Sequence, residues 1–250
     1  MHALLKIFIF SALAGFALSV KIINGNKTKE NSMQYMASVQ SNKGHICGGF
    51  LISEDFVLTA AHCGSPTHVI LGTHNLNNVD KTNKYPVKMC KHPDYKGVES
   101  GNDIMLLKLS RKAKLGRKAH TKTIKLPSQK MKLKENKKCR VAGWGWTKSG
   151  AQETEVDLRD VEVPVINLEK CKKEWKNNIP ENVICAGGYG TKNGMCQGDS
   201  GGPLVCDKQA VGVVSFNSGN DCNYPNYPNI YTDVSKFIPW IKGILKKKKC

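Results

Sequence analysis

Apolar positions along this chain come in short groups separated by clusters of Gly, Asn, Asp and Ser. The groups at Ala37–Val39, Phe50–Ile52, Val57–Leu58, His68–Leu71, Ile104–Leu109, Arg140–Ala142, Leu204–Val205 and Ala210–Ser215 read as strands. Many short strands with turn signals between them predict an all-β sandwich or barrel. The last stretch has another period. Phe237, Ile238, Trp240, Ile241, Ile244 and Leu245 recur at helical spacing opposite lysines, predicting a terminal helix. Its apolar side suits docking on the body, with a membrane surface as the alternative. No internal repeat or low-complexity linker interrupts the pattern.

The first apolar run, Leu4 to Val20, is broken by Lys6 and small polar residues. It is too short and interrupted to span a bilayer comfortably. Ala17-Leu18-Ser19 offers small residues before a cleavage point, so residues 1–19 are expected to be a removed signal peptide. A retained anchor is the alternative. No other apolar run approaches about 18 residues, so no membrane span is expected in the mature chain. The protein is expected to be secreted or held in a secretory granule. Export makes the ten cysteines disulfide candidates.

Composition then narrows the class. With 40% hydrophobic and 23% charged residues in 250, the chain is globular rather than disordered or fibrous. The net charge of +18 falls to +16 without residues 1–21, which carry Lys6 and Lys21. From Lys108 to Arg140 there are fourteen Lys/Arg and one acid, Glu135. A second run, Lys246 to Lys249, ends the chain. This asymmetry predicts an acidic polymer such as a glycosaminoglycan as a partner, with a merely solvated charged surface as the alternative. Nucleic acid is not expected, because export separates the protein from most of it and no aromatic-interleaved reading motif is present.

Three separated segments carry chemistry. Gly198-Asp199-Ser200-Gly201-Gly202-Pro203 sets a serine in a glycine-rich turn. A serine hydroxyl needs a base to become a nucleophile. Leu58-Thr59-Ala60-Ala61-His62-Cys63 supplies an imidazole suited to that work. Asn102-Asp103-Ile104-Met105-Leu106-Leu107 supplies an aspartate leading into an apolar run, hence one expected to be buried. Each signal is modest alone. The order His, Asp, Ser is much more specific.

Together with Gly143-Trp144-Gly145 and the Trp240 helix, these segments resemble the chymotrypsin-like serine proteases over Ile22 to about Leu245. The resemblance implies two six-stranded antiparallel barrels with the site in their cleft. The protease domain is then residues 22–250, with the first barrel about 22–125 and the second about 126–250. It implies a serine endopeptidase acting on polypeptides through Ser200 as nucleophile, His62 as base and then acid, and Asp103 as its orienting carboxylate. The N–H groups of Gly198 and Ser200 are the implied oxyanion hole. No triad member is missing, which argues against a binding-only relative.

Lys21-Ile22-Ile23-Asn24-Gly25 resembles the family's activation junction. There a freed amino terminus pairs with the aspartate before the nucleophile, here Asp199, and the prosegment would be Val20-Lys21. Such a dipeptide is similar to that of granzymes and related leukocyte or mast-cell proteases. The resemblance also implies the disulfides Cys47–Cys63, Cys139–Cys206, Cys171–Cys185 and Cys196–Cys222. Cys90 and Cys250 match no common bridge. Pairing with each other, standing free and bonding another chain all stay open. Serpin-type inhibitors are implied partners.

In the implied pocket the floor residue is Gly194, where trypsin-like relatives carry Asp. Cleavage after Arg or Lys is therefore not expected. Met195, Ser215, Asn217 and Asn229 complete the implied substrate contacts. The amides and the methionine predict a medium-sized uncharged residue before the scissile bond, with a large aromatic as the alternative if Asn217 faces solvent. No cofactor is expected, and no metal. The histidines lack ligand spacing, and the Asn75–Tyr85 loop lacks the glutamates of calcium-binding relatives. Asn26-Lys27-Thr28 is a glycosylation sequon. The competing function is a cationic glycan- or bacterial-surface-binding defence protein with secondary proteolysis.

Overall fold

The computed structural model describes residues 22–151, 153–218, 222–224 and 226–250. The expected signal peptide lies outside the described residues. After the short strand β1 (Asn26–Lys27), six strands form the first barrel. They are β2 (Met36–Ser41), β3 (Gly44–Ser53), β4 (Phe56–Thr59), β5 (His68–Ile70), β6 (Lys84–Lys91) and β7 (Met105–Leu109). Their spatial order is β2-β3-β4-β7-β6-β5, closed by antiparallel pairing of β5 with β2. Phe50, Leu51, Phe56, Leu58 and Leu106 fill the interior.

The second half contributes β8 (Lys138–Gly143), β9 (Arg159–Ile166), helix α1 (Leu168–Glu174), β10 (Val183–Ala186), β11 (Pro203–Cys206), β12 (Gln209–Phe216), β13 (Asn229–Asp233) and helix α2 (Val234–Lys247). Six of these strands close in the order β9-β10-β13-β12-β11-β8. Val141, Val163, Leu204, Val214 and Tyr231 form their core. The molecule is therefore two closed six-stranded antiparallel barrels with a C-terminal helix.

The chain ties the halves together twice. β1 crosses over to pair with β9 of the second barrel. Helix α2 crosses back, and Val234, Phe237, Ile238 and Ile241 join the first barrel's core. The Asp233 carboxylate caps the helix by accepting from Ser235 N at 2.9 Å. The apolar stripe of the helix is thus spent on packing, and the membrane-surface alternative falls. Among the described residues no helix is long and apolar enough to cross a membrane.

Every strand read from the sequence has a counterpart, and five strands (β1, β6, β9, β10 and β13) and helix α1 were not read. β6 carries Pro86 and three lysines, so its apolar content is low. β9 alternates buried Val161, Val163 and Val165 with outward Asp160, Glu162 and Pro164, a period of two diluted by charge and proline. Only Cys171 is buried in the otherwise polar α1, where it is anchored by a disulfide rather than an apolar stripe.

Five disulfides close among the described residues. Cys47–Cys63, Cys139–Cys206, Cys171–Cys185 and Cys196–Cys222 are the pairs that the resemblance implies. The fifth joins Cys90 to Cys250, which settles the question left open for those two residues.

Candidate active site

The apolar strand β4 leads into a single 3₁₀ turn, Ala61–Cys63, which projects His62 at the seam between the barrels. Cys47 in β3 ties down the end of that turn. Asp103 sits just before β7, 1% exposed. Its carboxylate is held from three sides. His62 N donates to Oδ1 at 2.9 Å, His62 Nδ1 approaches Oδ2 at 2.7 Å, and Ser215 Oγ donates to Oδ2 at 2.6 Å. The Asp103 carbonyl accepts from Thr232 Oγ1 at 2.9 Å. Burial pushes this carboxyl up, but the hydrogen bonds and charge of His62, with the Ser215 hydroxyl, outweigh it and hold it below its ordinary value. An ionised Asp103 makes Nδ1 the donor, leaving His62 Nε2 as the free acceptor of the neutral ring.

Ser200 lies in the turn between Cys196 and β11. Three backbone bonds set its shape: Gly48 N to Ser200 O at 2.8 Å, Gly201 N to Val214 O at 2.8 Å and Gly202 N to Asp199 O at 2.9 Å. Gly198 and Gly201 adopt φ of +91° and +79°, which side chains other than glycine rarely reach. A Cβ at Gly201 would also stand 3.0 Å from Ala60 N. The N–H groups of Gly198 and Ser200 donate to no protein acceptor among the described residues, leaving two amide donors at the serine. Ser200 and His62 line one cavity of about 300 Å³, with Met195, Ser215, Phe216 and Asn217 among its walls. Ser200 and His62 face each other across this cavity without a direct hydrogen bond, a contact that commonly tightens only when substrate binds.

His45 was missed at the sequence level. Its Nε2 bonds the Gly198 carbonyl at 2.9 Å and its Nδ1 bonds Ser38 Oγ at 2.8 Å. Nε2 faces a carbonyl and so carries a proton, and Nδ1 accepts from Ser38 Oγ when the ring is neutral. Burial pushes it down to about 4. It braces the turn that carries the two free amides. Nothing in the local sequence signals this, because the partners are 153 residues apart.

Asp199, beside Ser200, is 0% exposed. Its carboxylate accepts from Cys196 N and Gly145 N, both at 2.8 Å. It packs so closely on Gly145 that a Cβ there would meet its Cγ at 2.6 Å, which accounts for a glycine at that position of Gly143-Trp144-Gly145. Burial pushes its carboxyl up to about 7 despite the two amide donors. Ile22 is also 0% exposed, packed in the second barrel's core with Met195 and Tyr231.

The specificity residues divide. Met195, Ser215 and Asn217 reach the cavity, whereas Gly194 and the fully buried Asn229 lie beneath it. Tyr224, also missed, explains why. Its hydroxyl donates to the Met195 carbonyl and accepts from Asn229 Nδ2, while Met195 N donates to Asn229 Oδ1 at 3.2 Å. The ring covers Gly194, where a Cβ would stand 2.6 Å from Tyr224 Cζ. A tyrosine in a Pro- and Asn-rich turn has no period to betray this role. The Cys47, His62 and Cys63 group is the metal-like cluster among the described residues, and both of its sulfurs are already in a disulfide.

The family model that matches residues 22–241 is the trypsin model. The chain belongs to the trypsin family of serine proteases. This protease is 43% identical to duodenase-1 of Bos taurus over 235 residues, 92% of this chain and 91% of that one. It is also 43% identical to granzyme B of Rattus norvegicus over 256 residues, 99% of this chain and all of that one. Among solved structures it is similar to neuropsin, a serine protease of mouse brain, at 33% identity and a TM-score of 0.81, covering 88% of this chain and 98% of that one. The protease is thus a hydrolase of polypeptides related to granzymes.

Proposed function

We propose that the protease cleaves peptide bonds with Ser200 as nucleophile, His62 as general base and then acid, and Asp103 as the carboxylate that orients and stabilises the imidazolium. The observation that carries this reading is the double hydrogen bond from His62 to a buried Asp103, with Ser200 on the same cavity. His62 Nε2 takes the Ser200 proton as Oγ attacks the scissile carbonyl. The same proton then passes to the leaving amine. The free N–H groups of Gly198 and Ser200 receive the developing oxyanion, a contribution of about 10²–10³ in rate for each donor. Water repeats the cycle on the acyl-enzyme. Ser200→Ala in a chain beginning at Ile22 tests this. Hydrolysis of a peptide library should fall by about 10⁴-fold or more. Retention of the parent rate would remove Ser200 from the mechanism.

The chain is made as a precursor, and cleavage after Lys21 frees the Ile22 amino group to pair with Asp199. The fully buried carboxyl pushed up to about 7 supports this, because an isolated carboxylate there is costly and an ammonium beside it relieves the cost. The residue before the scissile bond is uncharged and of medium size. No acid stands at Gly194, and Tyr224 raises the pocket floor. Strong cleavage after Arg in a scanned library would overturn that preference. The protein is secreted or granule-stored, and its basic surface binds a sulfated polymer. The mature charge of +16 supports the second point.

A further inference from the structure

Folding neutralises part of the longest basic run in the sequence. Within Lys108–Arg140, Lys112 pairs with Glu54 at 2.9 Å, Lys137 with Asp207 at 2.6 Å and Lys138 with Glu162 at 3.1 Å, and Arg140 pairs with Asp160. Arg111 turns inward to the carbonyls of Thr82 and Lys84, at 2.9 and 3.0 Å, and stacks on Tyr85. The fold gathers another set, which shares Lys108 with that run. In the β6–β7 ladder Lys88 stands directly opposite Lys108, and Cys90 opposite Leu106. Side chains two apart on a strand share a face, so these four lie on one side of the sheet. The Cys90–Cys250 disulfide draws the end of α2 onto that side. Lys108 Nζ donates to the Lys248 carbonyl at 2.5 Å. Lys246, Lys247, Lys248 and Lys249 are all exposed above it. None of these six lysines has an ion-pair partner among the described residues. Like charges directly opposite in a ladder are destabilising, so the fold tolerates a cost here that an anion would relieve.

We infer that Lys88, Lys108 and Lys246–Lys249 form the binding site for a linear sulfated polysaccharide, and that the Cys90–Cys250 disulfide assembles it. This rests on the polyanion reading above and gives it a location. The site consists of ammonium point charges, without the guanidinium forks that suit bidentate phosphate. It also lacks a stacking platform for bases. Tyr227 is the exposed aromatic among the described residues, and it packs on Trp175. A sulfated chain needs only charge density, and its bound counterions are released as lysines replace them.

The test is salt-dependent binding of the full protease to heparin, with melting temperature and hydrolysis of a small uncharged peptide reporting that each variant is folded. Replacing Lys246, Lys247, Lys248 and Lys249 by Ser should lower the slope of log affinity against log salt by about 3. Cys90→Ser with Cys250→Ser keeps every lysine and should weaken binding by about tenfold, because the tail is no longer preorganised. Replacing Lys130, Lys132 and Lys134 by Ser should change heparin affinity little. A parent protein that does not bind heparin sinks the polyanion reading and this site with it. Binding that survives the tail and cysteine variants but is lost with Lys130, Lys132 and Lys134 keeps the broader reading and overturns this site. Single-stranded DNA bound as tightly as heparin at equal salt overturns the polysaccharide assignment.

Discussion

Two buried aspartates flank the Ser200 turn, and their surroundings differ in kind. Asp103 is met by two side chains and an amide, and it lies below its ordinary value despite its burial. Asp199 has backbone amides at Gly145 and Cys196, and burial carries it up to about 7. The first carboxylate is finished by the fold. The second is a carboxyl the fold encloses with backbone donors but no side-chain partner among the described residues. In this account, the first region supplies chemistry whenever the chain is folded, and the second makes that chemistry conditional on a cation arriving from outside the turn.

The largest expected effect comes from breaking the finished site. Asp103→Asn should reduce kcat by about 10⁴-fold, the size seen in related triads when the imidazole tautomer is lost. KM should move far less, and steady-state kinetics on a peptide of fixed sequence separates the two. Next comes the conditional site. A chain beginning at Val20 should hydrolyse the same peptide at least about 100-fold more slowly than one beginning at Ile22, because a displaced Gly198–Ser200 turn loses its oxyanion donors. Equal rates would erase the contrast between the two aspartates.

Smaller effects sharpen the comparison. Tyr224→Ala should deepen the pocket and raise the preference for Phe over Val before the scissile bond by about tenfold, read as a ratio of kcat/KM. Stability should follow pH with opposite signs at the two groups around Gly198. In the Val20 chain the raised Asp199 favours the protonated form. Its stabilising contribution is therefore full below 3.8 and is lost as pH rises through about 7. An Ile22 ammonium removes that loss, so the melting-temperature gap between the chains should widen from acid to neutral pH. His45 behaves in reverse. Its depressed value means stability is full above 6.5 and falls as pH drops toward about 4, by up to about 3 kcal/mol. His45→Gln should flatten the acid side of the curve.

What the sequence disclosed follows the same division. His62, Asp103 and Ser200 were legible because each sits in a distinctive local string, and their order carried the inference. Strands with clear apolar runs, such as β4 and β7, were legible for the same reason. β6 was hidden by Pro86 and its three lysines, of which Lys88 lies beside the clipped tail, and β9 by its proline and charges. His45 and Tyr224 act through hydrogen bonds to backbone carbonyls at Gly198 and Met195. Any histidine or tyrosine can make such a bond, so the residue type alone gives no warning. The ion pairs of Lys137, Lys138 and Arg140 within the Lys108–Arg140 run were hidden, since their partners Asp207, Glu162 and Asp160 arrive only by folding.

Covalent labelling of the Ile22 chain with a fluorophosphonate, followed by peptide mapping, tests the central claim most directly. The account predicts a single label on Ser200, lost when His62 is replaced by Ala. A label on another serine, or unlabelled protein that still hydrolyses peptides, would contradict it.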